Sequence, residues 1–180
     1  MGIKLDLINV IDVEATCWEG KTPTEEESEI IEIGICTLNV STGKRVDKES
    51  ILIKPERSTV SEFCTQLTTL TTEQLATGIS FAEAGKLLRK KYLSRDRVWA
   101  SYGQYDKNQF TRQCQSFGIS YPFNQRHLNV KTLFALQQKL SREVGMSEAL
   151  EILNISLEGT HHRGVDDAWN IALILANLLS

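Results

Sequence analysis

Residues 4–16 read KLDLINVIDVEAT, and the fold turns on how this stretch is taken. From Lys4 to Val13 it is almost continuously apolar and rich in Ile and Val. Such a run reads as a central β-strand covered on both faces rather than an alternating edge strand. Two further β-type runs follow, Glu29 to Val40 and Arg45 to Ile53, joined by the turn signal Ser41-Thr42-Gly43-Lys44, which predicts a hairpin. Beyond them the pattern alternates. Thr71-Thr72-Glu73-Gln74 and Ser80-Phe81-Ala82-Glu83 have the capping-box pattern that opens helices, the second turning Ala84, Leu87 and Leu88 inward. Arg97 to Ser101 reads as a short fourth strand, and Tyr105 to Phe117 as a helix stopped by Gly118. His127 to Val130 is a fifth strand. Helices are expected near Thr132 to Leu140, Ser147 to Leu153 and Val165 to Leu179. The order predicts an α/β domain: a mixed sheet of about five strands, hairpin at one edge, with helices on both faces.

With 180 residues and no repeat, linker or low-complexity tract, the expectation is one domain, 1–180. Hydrophobic residues at 41% and charged residues at 24% exclude collagen-like and largely disordered chains. No apolar run approaches the ~20 residues needed to cross a bilayer, so no membrane role is expected. The N-terminus lacks a secretion signal. Cys17, Cys36, Cys64 and Cys114 are scattered without a Cys-x-x-Cys pair, which argues against structural zinc and for free thiols in a reducing cytoplasm. Net charge is −3. Locally, residues 86–97 (KLLRKKYLSRDR) carry +5, either a solvated helix face or a landing strip for a phosphate backbone. Between Glu14 and Glu32, seven glutamates face one lysine.

Four carboxylates occupy positions that apolar patterning would not choose. Asp12 and Glu14, two apart at the end of the first strand, share a face. They either reach water where the strand ends or need a cation or donors to answer them. Asp106 lies on the helical stripe of Phe110, Cys114 and Phe117, which faces the core. On the last helix, Asp166, Asn170 and Asn177 form the expected solvent stripe, whereas Asp167 falls beside Ile171, Ile174 and Leu178. His161 and His162 stand just before that helix. Helical phase pairs His162 with Asp167. Carboxylates from separate segments, with an imidazole beside them, form a hard-oxygen donor set for Mg²⁺ or Mn²⁺, and two such ions suit in-line phosphoryl chemistry.

Three motifs resemble the DEDDh 3′–5′ exonucleases of the RNase T and proofreading type, and within them the ERI-like and KapD-like group. They are Ile11-Asp12-Val13-Glu14-Ala15-Thr16-Cys17-Trp18, Ser101-Tyr102-Gly103-Gln104-Tyr105-Asp106 and His162-Arg163-Gly164-Val165-Asp166-Asp167-Ala168. The resemblance runs from about Leu5 to the C-terminus and implies a ribonuclease-H-like fold. It implies that Asp12, Glu14, Asp106 and Asp167 hold two Mg²⁺ or Mn²⁺ and that His162 is the general base, releasing nucleoside 5′-monophosphates from single-stranded RNA or DNA 3′ ends, RNA slightly favoured. It also places the backbone of Ala15 and Thr16 at the terminal sugar, and Leu67, Phe63 and Tyr105 near the last bases. Related sequences usually carry Gly where this chain has Thr69, so the conformation of that loop is open. The sequence leaves protein partners, and the choice between monomer and homodimer, undetermined. Two other classes compete with this reading: a regulatory or partner-binding protein on the same scaffold, and a histidine-and-aspartate phosphohydrolase, which needs a contiguous His-Asp pair that the chain lacks.

Overall fold

In a computed structural model describing residues 2–180, the apolar run forms β1 (Lys4–Ala15) at the centre of a five-stranded sheet ordered β3-β2-β1-β4-β5. β2 (Ile30–Asn39) and β3 (Arg45–Leu52) make the antiparallel hairpin edge. β4 (Arg97–Ser101) runs parallel to β1, and β5 (His127–Asn129) runs parallel to β4. Asn39 pins the hairpin turn, its Oδ1 accepting from Ser41 Oγ and the Thr42 N–H. The α/β class, the mixed sheet and its hairpin edge are as expected.

The helices are α1 (Glu62–Thr68), α2 (Thr72–Leu75), α3 (Phe81–Lys91), α4 (Tyr105–Phe117), α5 (Val130–Gln137), α6 (Met146–Ile152) and α7 (Gly164–Leu179). Both capping boxes form, at Thr71 and at Ser80. α5 begins two residues early because the Asn129 side chain accepts the Thr132 N–H and caps it. α1 was not expected; Ser61 caps it by accepting the Cys64 N–H. Thr69 closes α1 in the left-handed region, φ 62°, its N–H donating to Thr65 O at 2.8 Å. A β-branched residue fits poorly there, which explains why glycine would be the natural occupant.

Period-2 alternation along β1 divides the interior into two cores. Ile8 and Val10 face a layer built with Phe134, Ala149, Ile171 and Leu175, from α5, α6 and α7. Ile11 and Val13 face a layer with Ala84, Leu88, Phe110 and Cys114, from α3 and α4. Within the basic run, Lys86, Lys90 and Lys91 line one surface pocket, while Lys91 also pairs with Glu49 at 2.8 Å and Arg97 with Asp6 at 3.1 Å. Arg89 and Arg95 donate to the carbonyls of Ser120 and Tyr121.

The solvent stripe expected on α7 is corrected by the loop preceding it, which folds back over the helix. Asn170 is fully buried, holding Glu158 through its N–H and C=O. Asp166 pairs with Lys48 at 2.6 Å and accepts the Thr160 N–H. Only Asn177 stays exposed.

α7 meets the sheet without side chains in between. A Cβ added at Gly34 on β2 would lie 1.9 Å from the Gly164 carbonyl carbon, and one on Gly164 would lie 3.0 Å from Asp12 O. Glu32, fully buried, caps this junction: it accepts the Gly164 N–H at 2.9 Å and pairs with Arg163 at 3.2 Å. Gly34→Ala should therefore destabilise the protein by about 3 kcal/mol or more in denaturant unfolding, the upper end for overpacking; a cost under about 1 kcal/mol would contradict the contact. Thr69→Gly should stabilise by about 1 kcal/mol by relieving the left-handed cap, and a loss of stability would show that the Thr69 side chain compensates.

Candidate active site

The even-numbered side of β1 that begins with Ile8 and Val10 ends with Asp12 and Glu14, so these two acids lie under the first turn of α7. That turn supplies Asp167, 4% exposed. Asp106, 3% exposed, comes from the first turn of α4, and its Oδ1 accepts the Val13 N–H at 2.9 Å. The hydrogen bond fastens α4 to the strand between the other two acids. All four carboxylates open on one cleft of about 350 Å³. His161, His162, Ala15, Cys17, Leu67, Tyr102, Tyr105 and Met146 are also part of the lining.

Crowding these acids has an electrostatic consequence. Burial, then the charges of Asp106, Asp167, Glu14 and Glu32, holds the Asp12 carboxyl well above the usual range. The Glu14 carboxyl is pushed up to about 9, by burial first and then by Asp167, Glu32 and Asp106. Asp106 rises to about 6 through burial, against the Val13 N–H. Asp167 is raised by burial, although the imidazole of His161 and the His162 N–H oppose this. The cation that opposes the rise at Glu14, Arg163, is itself engaged with Glu32. Asp12, Glu14 and Asp167 each place an oxygen within 4.8 Å of the others. An all-oxygen set crowded together with so little positive charge beside it fits hard divalent cations.

The two histidines divide their work unexpectedly. The imidazole bonded to Asp167 is that of His161, whose Nδ1 lies 3.1 and 3.0 Å from the two carboxylate oxygens. His162 meets Asp167 through its backbone N–H, at 3.0 Å, from a left-handed conformation with φ 65°. Its ring stacks on that of His161 with centroids 4.0 Å apart. Helical phase pairs the His162 imidazole with Asp167; the structure corrects this, giving the imidazole–carboxylate bond to His161 and leaving His162 its backbone N–H. Burial, then His161, pulls the His162 imidazole below its ordinary value, so it is neutral near pH 7.

Of the other residues named from the sequence, Ala15, Leu67 and Tyr105 border the cleft. Tyr105 and Leu67 are exposed. Phe63 is exposed one turn before Leu67 on α1, outside the cleft lining. Thr16 is fully buried and its backbone is already used, N–H to Glu29 O at 2.8 Å and C=O from Ser28 Oγ at 2.7 Å. Glu32, Cys17, Tyr102 and Met146 were not assigned roles. For Glu32 a signal existed: it is a carboxylate inside an unbroken Ile-rich strand.

The profile of the Exonuclease (RNase T) family matches residues 9–175, a span that contains every one of these acids. The chain belongs to that family. Its sequence is 32% identical over 184 residues to the "3'-5' exoribonuclease 1" of Homo sapiens, covering 97% of this chain and 52% of that protein. The chain thus spans about half the length of these curated relatives. Among solved structures, the nuclease domain of 3'hExo, a DEDDh family member bound to rAMP, superposes with a TM-score of 0.83 at 31% identity, covering 97% of this chain and 92% of that one. A 3'-exonuclease shown in specific recognition of the histone mRNA stem-loop gives 0.87 at 30%, covering 99% and 65%. The RNase H-like DEDDh fold of this family member is thereby shown. No helix among the described residues is long and apolar enough to cross a membrane.

Raised carboxyl pKa values make a signed prediction. Glu14 titrates near 4.5 when unperturbed and near 9 in the cation-free fold, so its stabilising contribution is complete below about 4.5 and is lost as pH rises through about 9. A divalent cation held by these acids would replace the protons. The rise in Tm on adding Mg²⁺ should therefore be larger at about pH 8 than at about pH 6, and an equal or smaller rise would contradict the crowding.

Proposed function

We propose that residues 1–180 act as one 3′–5′ exonuclease domain that hydrolyses the terminal phosphodiester of single-stranded nucleic acid, RNA ahead of DNA, to nucleoside 5′-monophosphates. The observation that carries the reading is the convergence of Asp12, Glu14, Asp106 and Asp167, from three separate elements, with an imidazole on one open cleft. Asp12, Glu14, Asp106 and Asp167 would hold two Mg²⁺ or Mn²⁺, directly or through water. When bound, the cations supply Lewis acidity and neutralise charge developing on the phosphate.

The chain's own groups account for the remaining steps. His162, neutral near pH 7, accepts the proton of the attacking water at an imidazole nitrogen. His161 and the His162 N–H fix the Asp167 carboxylate from one side. Val13 fixes that of Asp106. Leu67 and Tyr105, both exposed where they line the cleft, stack against the last bases, and Phe63 extends that surface along α1. Such contacts tolerate any sequence, as stepwise trimming requires. Ala15 is the better placed of the Ala15–Thr16 pair to meet the terminal sugar, because the Thr16 backbone is committed to the fold. The two solved relatives with rAMP and with histone mRNA support RNA as the substrate class. A cytoplasmic setting accords with four free cysteines.

Oligonucleotides labelled at the 3′ or the 5′ end, incubated with Mg²⁺ or Mn²⁺, test the proposal directly. Mononucleotides should leave the 3′ end first, faster from RNA than from DNA. Asp12→Asn or Asp167→Asn should lower kcat by about 10³-fold or more, and His162→Ala by about 10²- to 10⁴-fold while Mg²⁺ binding persists. An inert wild type that nonetheless binds a partner, unchanged by Asp12→Asn, would instead mark a scaffold protein.

A further inference from the structure

The exonuclease reading uses His162 as base and leaves the imidazole of His161 with only a hydrogen bond to make. Yet His161, His162 and Asp167 each offer a ligand atom, and those atoms lie within 4.8 Å of one another. The left-handed turn at His162 brings two consecutive imidazoles to one side, stacked at 4.0 Å with an interplanar angle of 20°. His161 Nδ1 stands 3.0–3.1 Å from the Asp167 oxygens. Bonds of about 2.0–2.2 Å at tetrahedral angles separate donor atoms by about 3.3–3.6 Å, so this pair lies a few tenths of an ångström inside the spacing of ligands on one Zn²⁺. The His161 side chain is 43% exposed, which leaves its ring free to splay from His162.

The chemistry of this trio differs from that of its neighbour. Asp12, Glu14 and Asp167 offer oxygen alone and suit hard cations, whereas two imidazoles with a carboxylate select a borderline ion such as Zn²⁺ over Mg²⁺. Asp167 belongs to both sets. We propose that His161, His162 and Asp167 form a Zn²⁺ site at the rim of the cleft, whose occupation withdraws Asp167 from the hard-cation set and His162 from proton transfer, and so inhibits the enzyme. Binding stands on these three residues; the inhibitory consequence rests on the exonuclease reading. Water or a buffer ligand would complete the coordination, and the solvent-facing side of His161 gives the ion its entry.

ZnCl₂ titrated by calorimetry into the full chain in excess Mg²⁺, with Co²⁺ as a visible-absorption probe of tetrahedral geometry, tests the site without reference to catalysis. One Zn²⁺ should bind per chain and resist displacement by Mg²⁺. His161→Asn should weaken it by about 10-fold or more, with His162→Asn as a second variant, and neither should abolish Mg²⁺ binding. The Zn²⁺ concentration that halves oligonucleotide trimming, taken relative to each variant's own rate, should rise by the same factor for His161→Asn. Zinc affinity unchanged in both variants, or zinc displaced in proportion to Mg²⁺, would place the ion among the carboxylates and overturn the proposal. A chain that binds zinc through these imidazoles but trims no 3′ end would refute the exonuclease reading alone.

Discussion

The backbone contact between Gly164 and Gly34 sets the distance on which the site depends. Helices pack on sheets at a separation fixed by the side chains between them. At this point there are none, so the first turn of α7 settles directly onto β2 and beside the Asp12 carbonyl. Asp167, three residues on, is carried down to the acids of β1. Any side chain at either position would lift α7 and open the carboxylate cluster at the same time. Glu32 adds direction to proximity, because it accepts the Gly164 N–H while pairing with Arg163. A helix N-terminus docked on a buried carboxylate favours one orientation, with the helix dipole reinforcing it.

That arrangement is electrostatically uncomfortable by construction. Glu32 steadies α7 but adds one more negative charge beside Asp12 and Glu14, and it contributes to holding both carboxyls above their ordinary range. The scaffold therefore tolerates repulsion that only protons or cations relieve. Local strain accompanies it: His162 accepts a left-handed backbone, and its N–H is spent on Asp167. Such costs persist where the surrounding fold overdetermines them. Here Asn170, Asp166, Lys48 and Arg45 clamp the preceding loop from α7 and β3. A residue that reads as surface on the helical wheel, Asn170, proves to be wholly interior because a loop, not another helix, covers it.

Much of this was legible in the sequence because the informative residues violate their local pattern. Asp12 breaks an apolar strand, and Asp106 and Asp167 each interrupt an apolar helical stripe, so periodicity alone marked them as inward-facing. β4 and α4 appeared at their observed bounds because Gly118 and the short apolar run at 97–101 are unambiguous. What escaped has physical reasons. α1 is seven residues long with few apolar positions, and its cap, Ser61, has no glutamate partner to complete a box. The pairing of Glu32 with Arg163 joins residues far apart in the chain, and no local period encodes it. Nor does helical phase extend into a loop. It fixed Asp167, but the left-handed residue at 162 decides which histidine presents its ring and which its backbone.

The same left-handed residue explains why adjacent histidines here are not interchangeable. A regular extended segment would send their rings to opposite sides, and one would be solvated and idle. Turned as it is, the chain stacks both rings above a single carboxylate, so that the neutral imidazole of His162 is held against the cleft by His161 rather than by a side chain of the core. The proposed base is thus oriented by a residue that is itself a candidate ligand. On the proposed zinc reading, rigidity and susceptibility to a competing cation arise from one feature, and a substitution that removes the second at His161 must also loosen the first.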